Sequence, residues 1–154
     1  MRPKAASRTT VHDVSAIEIR GIDHVVLRVR DVARSIHFYC GVLGCREERR
    51  VDGLGLVQLR AGSALIDLVD VAGALGRLGG GPPGESGRNQ DHFALQLAAF
   101  DEPALRAALA AAGIEAGEVG ERYGAEGLGP SLYIRDPDGN VVELKGPRKN
   151  SAER

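Results

Sequence analysis

Two histidines, each preceded by an aspartate, open two apolar segments: Asp23-His24 leads Val-Val-Leu-Arg-Val, and Asp91-His92 leads Phe-Ala-Leu-Gln-Leu. Two acids sit inside two further apolar segments, Asp67 in Leu65-Ile-Asp-Leu68 and Glu143 in Val141-Val-Glu-Leu144. An unpaired charge held out of water is strongly unfavourable, so each acid is either exposed by strand alternation or partnered. Two neutral imidazole nitrogens and two carboxylate oxygens are a donor set suited to a divalent cation such as Zn²⁺, Ni²⁺, Mn²⁺ or Fe²⁺. The two carboxylate charges would balance the metal, and open positions would take water or substrate. A single strand histidine is more often a structural residue than a ligand. What favours ligation here is that the same residue types recur at matching points of two similar stretches.

Those stretches are predicted as follows. Residues 22–29 are rich in β-branched side chains and predict a mostly buried strand. Asp31 is placed as the N-cap of a helix whose apolar face is Ile36, Phe38, Tyr39, Val42 and Leu43, and Gly44 stops it. Strand-like runs follow at 46–51, 55–60 and 64–69, separated by Gly53, Gly55 and Ala61-Gly-Ser63. Residues 72–90 contain Gly79-Gly-Gly-Pro-Pro-Gly84 and predict a flexible linker. The pattern then restarts, with a strand at 91–97 and an alanine-rich helix at 102–112. Pro103 falls in that helix's first turn and Gly113 at its end. A strand-like run at 114–119, a glycine-rich loop at 120–130 and strands at 131–135 and 140–144 complete it. Asp136-Pro-Asp-Gly139 supplies the last turn, with proline presetting φ and glycine accepting positive φ. The order is β-α-β-β-β, linker, β-α-β-β-β, an internal duplication of α+β class. The domain is expected over 18–147, as module one (18–71), the linker and module two (91–147). Residues 1–17 and 148–154 are expected to be flexible extensions.

The 154 residues suit one domain, and 43% hydrophobic with 27% charged is an ordinary globular balance. A net charge of −1 with mixed signs leaves no basic stripe for nucleic acid. Cys40 and Cys45 lack the density of a disulfide scaffold and the paired spacing of a zinc ribbon, so they are expected as reduced thiols. No apolar run approaches the roughly 20 residues of a membrane helix, and the start of the chain lacks a signal-peptide core. A cytoplasmic protein is expected. His37 falls on the exposed side of the first helix and His12 in the N-terminal tail; neither is given a role.

The segments Gly21-Ile-Asp-His24-Val-Val-Leu, Ser35-Ile-His-Phe-Tyr39-Cys-Gly-Val-Leu-Gly44 and Asp136-Pro-Asp-Gly-Asn140-Val-Val-Glu143-Leu resemble the vicinal oxygen chelate superfamily. This is the group of glyoxalases, bleomycin-resistance proteins and type I extradiol dioxygenases, and the resemblance spans residues 18–147. It implies two βαβββ modules forming a cupped eight-stranded mixed sheet with helices outside, commonly as a homodimer, and one divalent metal per cup. It implies His24, His92 and Glu143 as ligands, with Asp67, one methylene shorter than the family's Glu, as the departure. A site of two histidines and Glu143 alone would be similar to the dioxygenase triad, which suits Fe²⁺ and O₂. The implied function is a metal-dependent lyase or isomerase acting on a small molecule held through vicinal oxygens, with Glu143 or Asp67 as general base. Arg122, Tyr123 and Tyr133 are expected to contact substrate, the first two from a lid-like loop. Ring-cleaving dioxygenase, metal-free drug binding and a fosfomycin-type transferase are the alternatives. The absence of Trp and the 4% aromatic content weigh against stacking a flat drug.

Overall fold

Alternation along β1 (His24–Val29) turns Val25, Leu27 and Val29 to one side and His24, Val26 and Arg28 to the other. The first set joins the apolar core; the second faces away from it. The computed structural model describes residues 21–88 and 90–149. The extension expected at 1–17 lies outside the described residues, as do residues 150–154 of the tail.

Asp31 caps α1 (Val32–Ile36) by accepting from the Arg34 amide. The helix continues as a π-helical turn over His37–Val42, in which the Leu43 amide reaches back to the Phe38 carbonyl at 3.1 Å. Gly44, at φ 79°, ends it as the C-cap glycine was expected to. Three strands follow, β2 (Arg46–Val51), β3 (Leu56–Ala61) and β4 (Ala64–Asp70). Module two repeats the order with β5 (His92–Gln96), α2 (Glu102–Ala111), β6 (Gly120–Gly124), β7 (Gly127–Arg135) and β8 (Val141–Lys145). The fold is α+β: the eight strands form two four-stranded mixed sheets, ordered β1-β4-β3-β2 and β5-β8-β7-β6. In each sheet the histidine strand lies at an edge, parallel to the strand carrying the acid. A parallel pair needs a long crossover, and here the helix and the two middle strands supply it.

Both sheets turn their apolar sides to one core. Leu27, Val57, Leu59, Ile66 and Leu68 from module one cluster with Leu132, Ile134, Val142 and Leu144 from module two, with Phe38, Tyr39 and Leu109 among them. The Tyr39 and Phe93 rings lie 6.5 Å apart across the modules. A polar clasp reinforces the junction. The Asp136 carboxylate accepts from the Asp138 and Asn140 amides (2.9 and 2.8 Å), the Asn140 side-chain amide (2.8 Å) and the buried Tyr39 hydroxyl (2.7 Å). Asp138 in turn accepts from the Arg30 amide at 3.1 Å. The Asp-Pro-Asp-Gly-Asn motif therefore closes the last turn and ties it to module one.

Two expectations need correction. Residues 114–119 form no strand; the Gly117 amide bonds the Tyr133 carbonyl at 2.9 Å, and its carbonyl accepts from Arg106 at 3.2 Å. Residues 120–130, expected as a loop, are the β6–β7 hairpin turning at Ala125-Glu126, with Gly124 opposite Gly127. The linker is hydrogen-bonded to both modules among the described residues. Arg28 donates to the Gly76, Gly80 and Gly81 carbonyls at 2.7–3.1 Å, Arg30 to Pro83, and Arg88 to Asn140 and the Asp138 carbonyl. Arg148 and Lys149, expected within a flexible tail, lie along β7: the Lys149 amide bonds the Leu128 carbonyl at 3.1 Å, and its Nζ meets Glu121 at 2.6 Å.

Candidate metal centre

The strand registers bring each histidine to its acid. β1 lies against β4 with His24 beside Leu65 and Val26 beside Asp67, so His24 and Asp67 share the face turned from the core. β5 lies against β8 with His92 beside Val141 and Ala94 beside Glu143, the same offset and the same face. The duplication thus yields two equivalent histidine–carboxylate pairs.

Each imidazole is oriented by its preceding aspartate. His24 Nδ1 lies 2.6 Å from Asp23 Oδ1, and His92 Nδ1 lies 2.6 Å from Asp91 Oδ2. A carboxylate only accepts, so Nδ1 carries the proton and Nε2 keeps its lone pair when the ring is neutral. This second hydrogen bond is the arrangement that fixes a metal-binding histidine. The Asp23 bond also raises the His24 pKa above the ordinary value, with a smaller push from the charge of Asp67.

The acids differ in their partners. Glu143, buried, faces His92 with Oε2 3.2 Å from Nε2. Asp67, also buried, accepts from the Gln58 side-chain amide at 3.0 Å. Gln58 is the register partner of Asp67 on β3, as Tyr133 is of Glu143 on β7. The shorter acid is thus held by a longer neighbour. In both modules the second carboxylate oxygen, Asp67 Oδ1 and Glu143 Oε1, is buried with no hydrogen-bond partner among the described residues. Buried carboxylate oxygens are ordinarily satisfied, and an orphan at two equivalent positions suits a pair that binds a cation. The donor chemistry therefore fits a divalent ion.

The four donors do not meet within one chain. The two sheets share a core, and each pair lies on the face turned away from it. Among the described residues no three His, Cys, Asp or Glu side chains gather as a ligand set. A cleft of about 870 Å³ between α1 and residues 112–117, lined by Arg34, His37, Glu115 and Arg135 among others, contains none of the four.

The substrate-contact candidates divide. Tyr133 meets the His92 ring edge-on, with centroids 5.2 Å apart, and the Arg122 guanidinium stacks on Tyr133 at 4.5 Å. Tyr133 is the register partner of Glu143, and Arg122 reaches the site through Tyr133. Tyr123 alternates to the other face of β6 and is 84% exposed, so it does not join them. Sequence reasoning missed Gln58 and Lys145. Both stand at alternation-matched positions next to an acid, a signal visible once strand pairing is known.

Comparison with known proteins agrees with this architecture. Residues 21–144 match the model of the glyoxalase/bleomycin resistance protein/dioxygenase superfamily. The chain is 30% identical over 130 residues to a catechol-2,3-dioxygenase of Bacillus subtilis (strain 168), covering 84% of this chain but only 42% of that protein's length. It is 29% identical over 138 residues to virulence protein STM3117 of Salmonella typhimurium, covering 86% and 88% of the two chains. A structure from the mobile metagenome of V. Pseudocholerae superimposes with a TM-score of 0.67 at 26% identity, covering 86% of this chain and 98% of that one. The chain belongs to the glyoxalase/bleomycin resistance protein/dioxygenase superfamily.

Proposed function

We propose that this protein is a metal-dependent lyase or isomerase acting on a small substrate held through two neighbouring oxygens. We further propose a homodimer in which His24 and Asp67 of one copy face His92 and Glu143 of the other. The observation that carries the reading is the pair of buried, unpartnered carboxylate oxygens, each beside an aspartate-oriented histidine. Pairing across copies follows from the two faces: β1 and β5 are edge strands with one side unpaired, and Val26, beside Asp67, is 50% exposed. Laying the β1 edge of one copy against the β5 edge of another would extend two four-stranded sheets into an eight-stranded cup and bury Val26.

When bound, a divalent ion supplies Lewis-acid polarisation of the substrate oxygens. The chain's own groups do the rest. Asp23 and Asp91 hold both imidazoles through Nδ1, which leaves Nε2 as the coordinating nitrogen; that of His92 already points at Glu143. Glu143 or Asp67, released from the ion, takes the proton from substrate carbon as general base. Tyr133, with Arg122 stacked on it, lies beside Glu143 and bounds the space into which substrate fits.

Elemental analysis of the purified protein, repeated on His24→Ala and Glu143→Ala, tests the reading. One equivalent of metal per chain is expected in the wild type, with loss in both variants and retained folding by circular dichroism. Wild type that stays metal-free after incubation with Mn²⁺, Ni²⁺, Zn²⁺ and Fe²⁺ sinks it. A second reading, a ring-cleaving dioxygenase, draws on Gln58, whose bond to Asp67 favours His24, His92 and Glu143 as a three-donor set for Fe²⁺. Oxygen uptake on adding catechol to the Fe²⁺-loaded protein would select it, and turnover without O₂ would reject it.

A further inference from the structure

The cleft of about 870 Å³ between α1 and residues 112–117 has no part in the proposed metal chemistry. Its lining includes Phe38 and Ile134, both members of the shared core. It therefore opens where that core reaches the surface between the modules, and not in the cup. Its volume falls within the roughly 300–1,000 Å³ usual for a small-molecule site.

Local sequence shapes both walls. On one side the π-helical turn His37–Val42 departs from regular helix, a rare feature that recurs at functional sites. Position 41 in that turn is glycine, and a Cβ there would meet His37 Nδ1 at 3.2 Å, so the imidazole lies over the gap the glycine leaves. On the other side Gly113, at φ 70°, turns the chain out of α2, and the Gly117 amide fastens the segment to the Tyr133 carbonyl. Ile114 and Val42 add to the apolar lining, each packed against the core.

The charges on the lining are unequal. Arg34 and Arg135 contribute two guanidiniums, and both residues are exposed. The Arg34 side chain makes no hydrogen bond among the described residues, and Arg135 uses only Nη1, on the Gly139 carbonyl at 3.2 Å. Of the two acids on the lining, Asp136 already accepts from Tyr39, Asn140 and two backbone amides. Glu115 is then the one carboxylate left to oppose two guanidinium forks.

We propose that this cleft binds a small amphipathic carboxylate, its head group drawn by Arg34 and Arg135 and its apolar body lying along Phe38, Val42 and Ile114. A guanidinium matches a carboxylate in shape and charge, and the apolar lining gains from burying a hydrocarbon chain. This site needs neither a metal nor a second copy of the chain, so it stands apart from the reading of the cup.

Titration calorimetry of the full-length protein with octanoate, with and without Mn²⁺, tests it. One saturable octanoate site per chain is expected in both conditions. Octanol keeps the hydrocarbon and lacks the charge, so it should bind about tenfold more weakly or worse. The Arg34→Gln/Arg135→Gln double variant should lose octanoate affinity by about the same factor. Glu115→Gln removes a like charge and should tighten octanoate binding, a change of sign that a merely structural role would not give. Lys149→Gln, which removes a surface lysine paired with Glu121, should leave it unchanged. The three cleft positions are exposed, so their variants should fold, and circular dichroism checks this. Absence of saturable octanoate binding, or binding that appears only with Mn²⁺, overturns the proposal. So does octanol binding as tight as octanoate, an unchanged affinity in the double arginine variant, or weaker binding in Glu115→Gln.

Discussion

Mixing two variants that each lack a functional centre should restore metal binding. In the proposed homodimer, one centre takes its first half from one copy and its second half from the other. A heterodimer of His24→Ala with His92→Ala then has one centre lacking both histidines and one centre of wild-type composition. Random exchange of equal amounts makes half of the dimers heterodimers, so about one quarter of all centres regain four donors under closed two-fold pairing. Both histidines are partly exposed and lie on edge strands, so their removal should cost about 0.5 kcal/mol or less and leave the fold intact. His24→Ala mixed with Asp67→Ala is the control, since both changes fall in the first half and every centre stays damaged. The variants are co-refolded with different affinity tags, the doubly tagged dimer is isolated, and its metal content is measured. Half an equivalent of metal per chain is expected in the isolated heterodimer, and none in the control. A verified His24→Ala/His92→Ala heterodimer without metal refutes pairing across copies, because centres built within one chain could not complement.

Other outcomes follow from single residues. Tyr39→Phe removes a buried hydroxyl from Asp136, which keeps Asn140 on the same oxygen, so the loss in a denaturant titration should be about 1–2 kcal/mol. Leu59→Ala, at a fully buried position between the modules, should cost about 2–5 kcal/mol by the same measurement; a loss below 1 kcal/mol would mean that the core is not shared as described. Burial, with a smaller contribution from Cys40, pushes the Cys45 thiol up to about 11. Against an ordinary thiol near pKa 9, the folded protein at pH 8 should hold roughly a hundredfold less thiolate at this position, so Cys45 alkylation should be slow until denaturant is added. Rapid modification of the folded protein at pH 8 would contradict this half-buried placement. Arg28→Met frees the Gly76, Gly80 and Gly81 carbonyls and should speed proteolytic cutting within 72–88; an unchanged digestion pattern would mean that Arg28 does not hold the connection.

Much of the architecture is written in local patterns. β-Branched alternation marked β1 to β4 within two residues, because a strand's two faces are distinguished by every second side chain. Asp31 and Gly44 marked the ends of the first helix, because capping depends on neighbours a few residues away. The duplication, and with it the matching of His24 and Asp67 to His92 and Glu143, was visible for the same reason.

Glycine was the misleading signal. Its density over 120–130 suggests a mobile loop, yet Gly124 and Gly129 lie in paired strands and are small because Lys145 and the chain at Pro147 pass close to them. That close approach is a long-range fact, as are the arginine bonds to the 72–90 connection. Composition alone cannot separate a glycine needed for its freedom from one needed for its lack of a side chain.

The sequence by itself determined the strands, the caps, the repeat and the types of the four donors, all of which follow from residue chemistry and spacing along the chain. Only the tertiary structure decided that the two donor pairs lie on faces turned away from a common core, that Gln58 holds the shorter acid, and that Tyr123 points away while Lys145 lies beside Glu143. Those outcomes depend on which sheet faces pack together, and burial of apolar surface from both modules at once selects that arrangement.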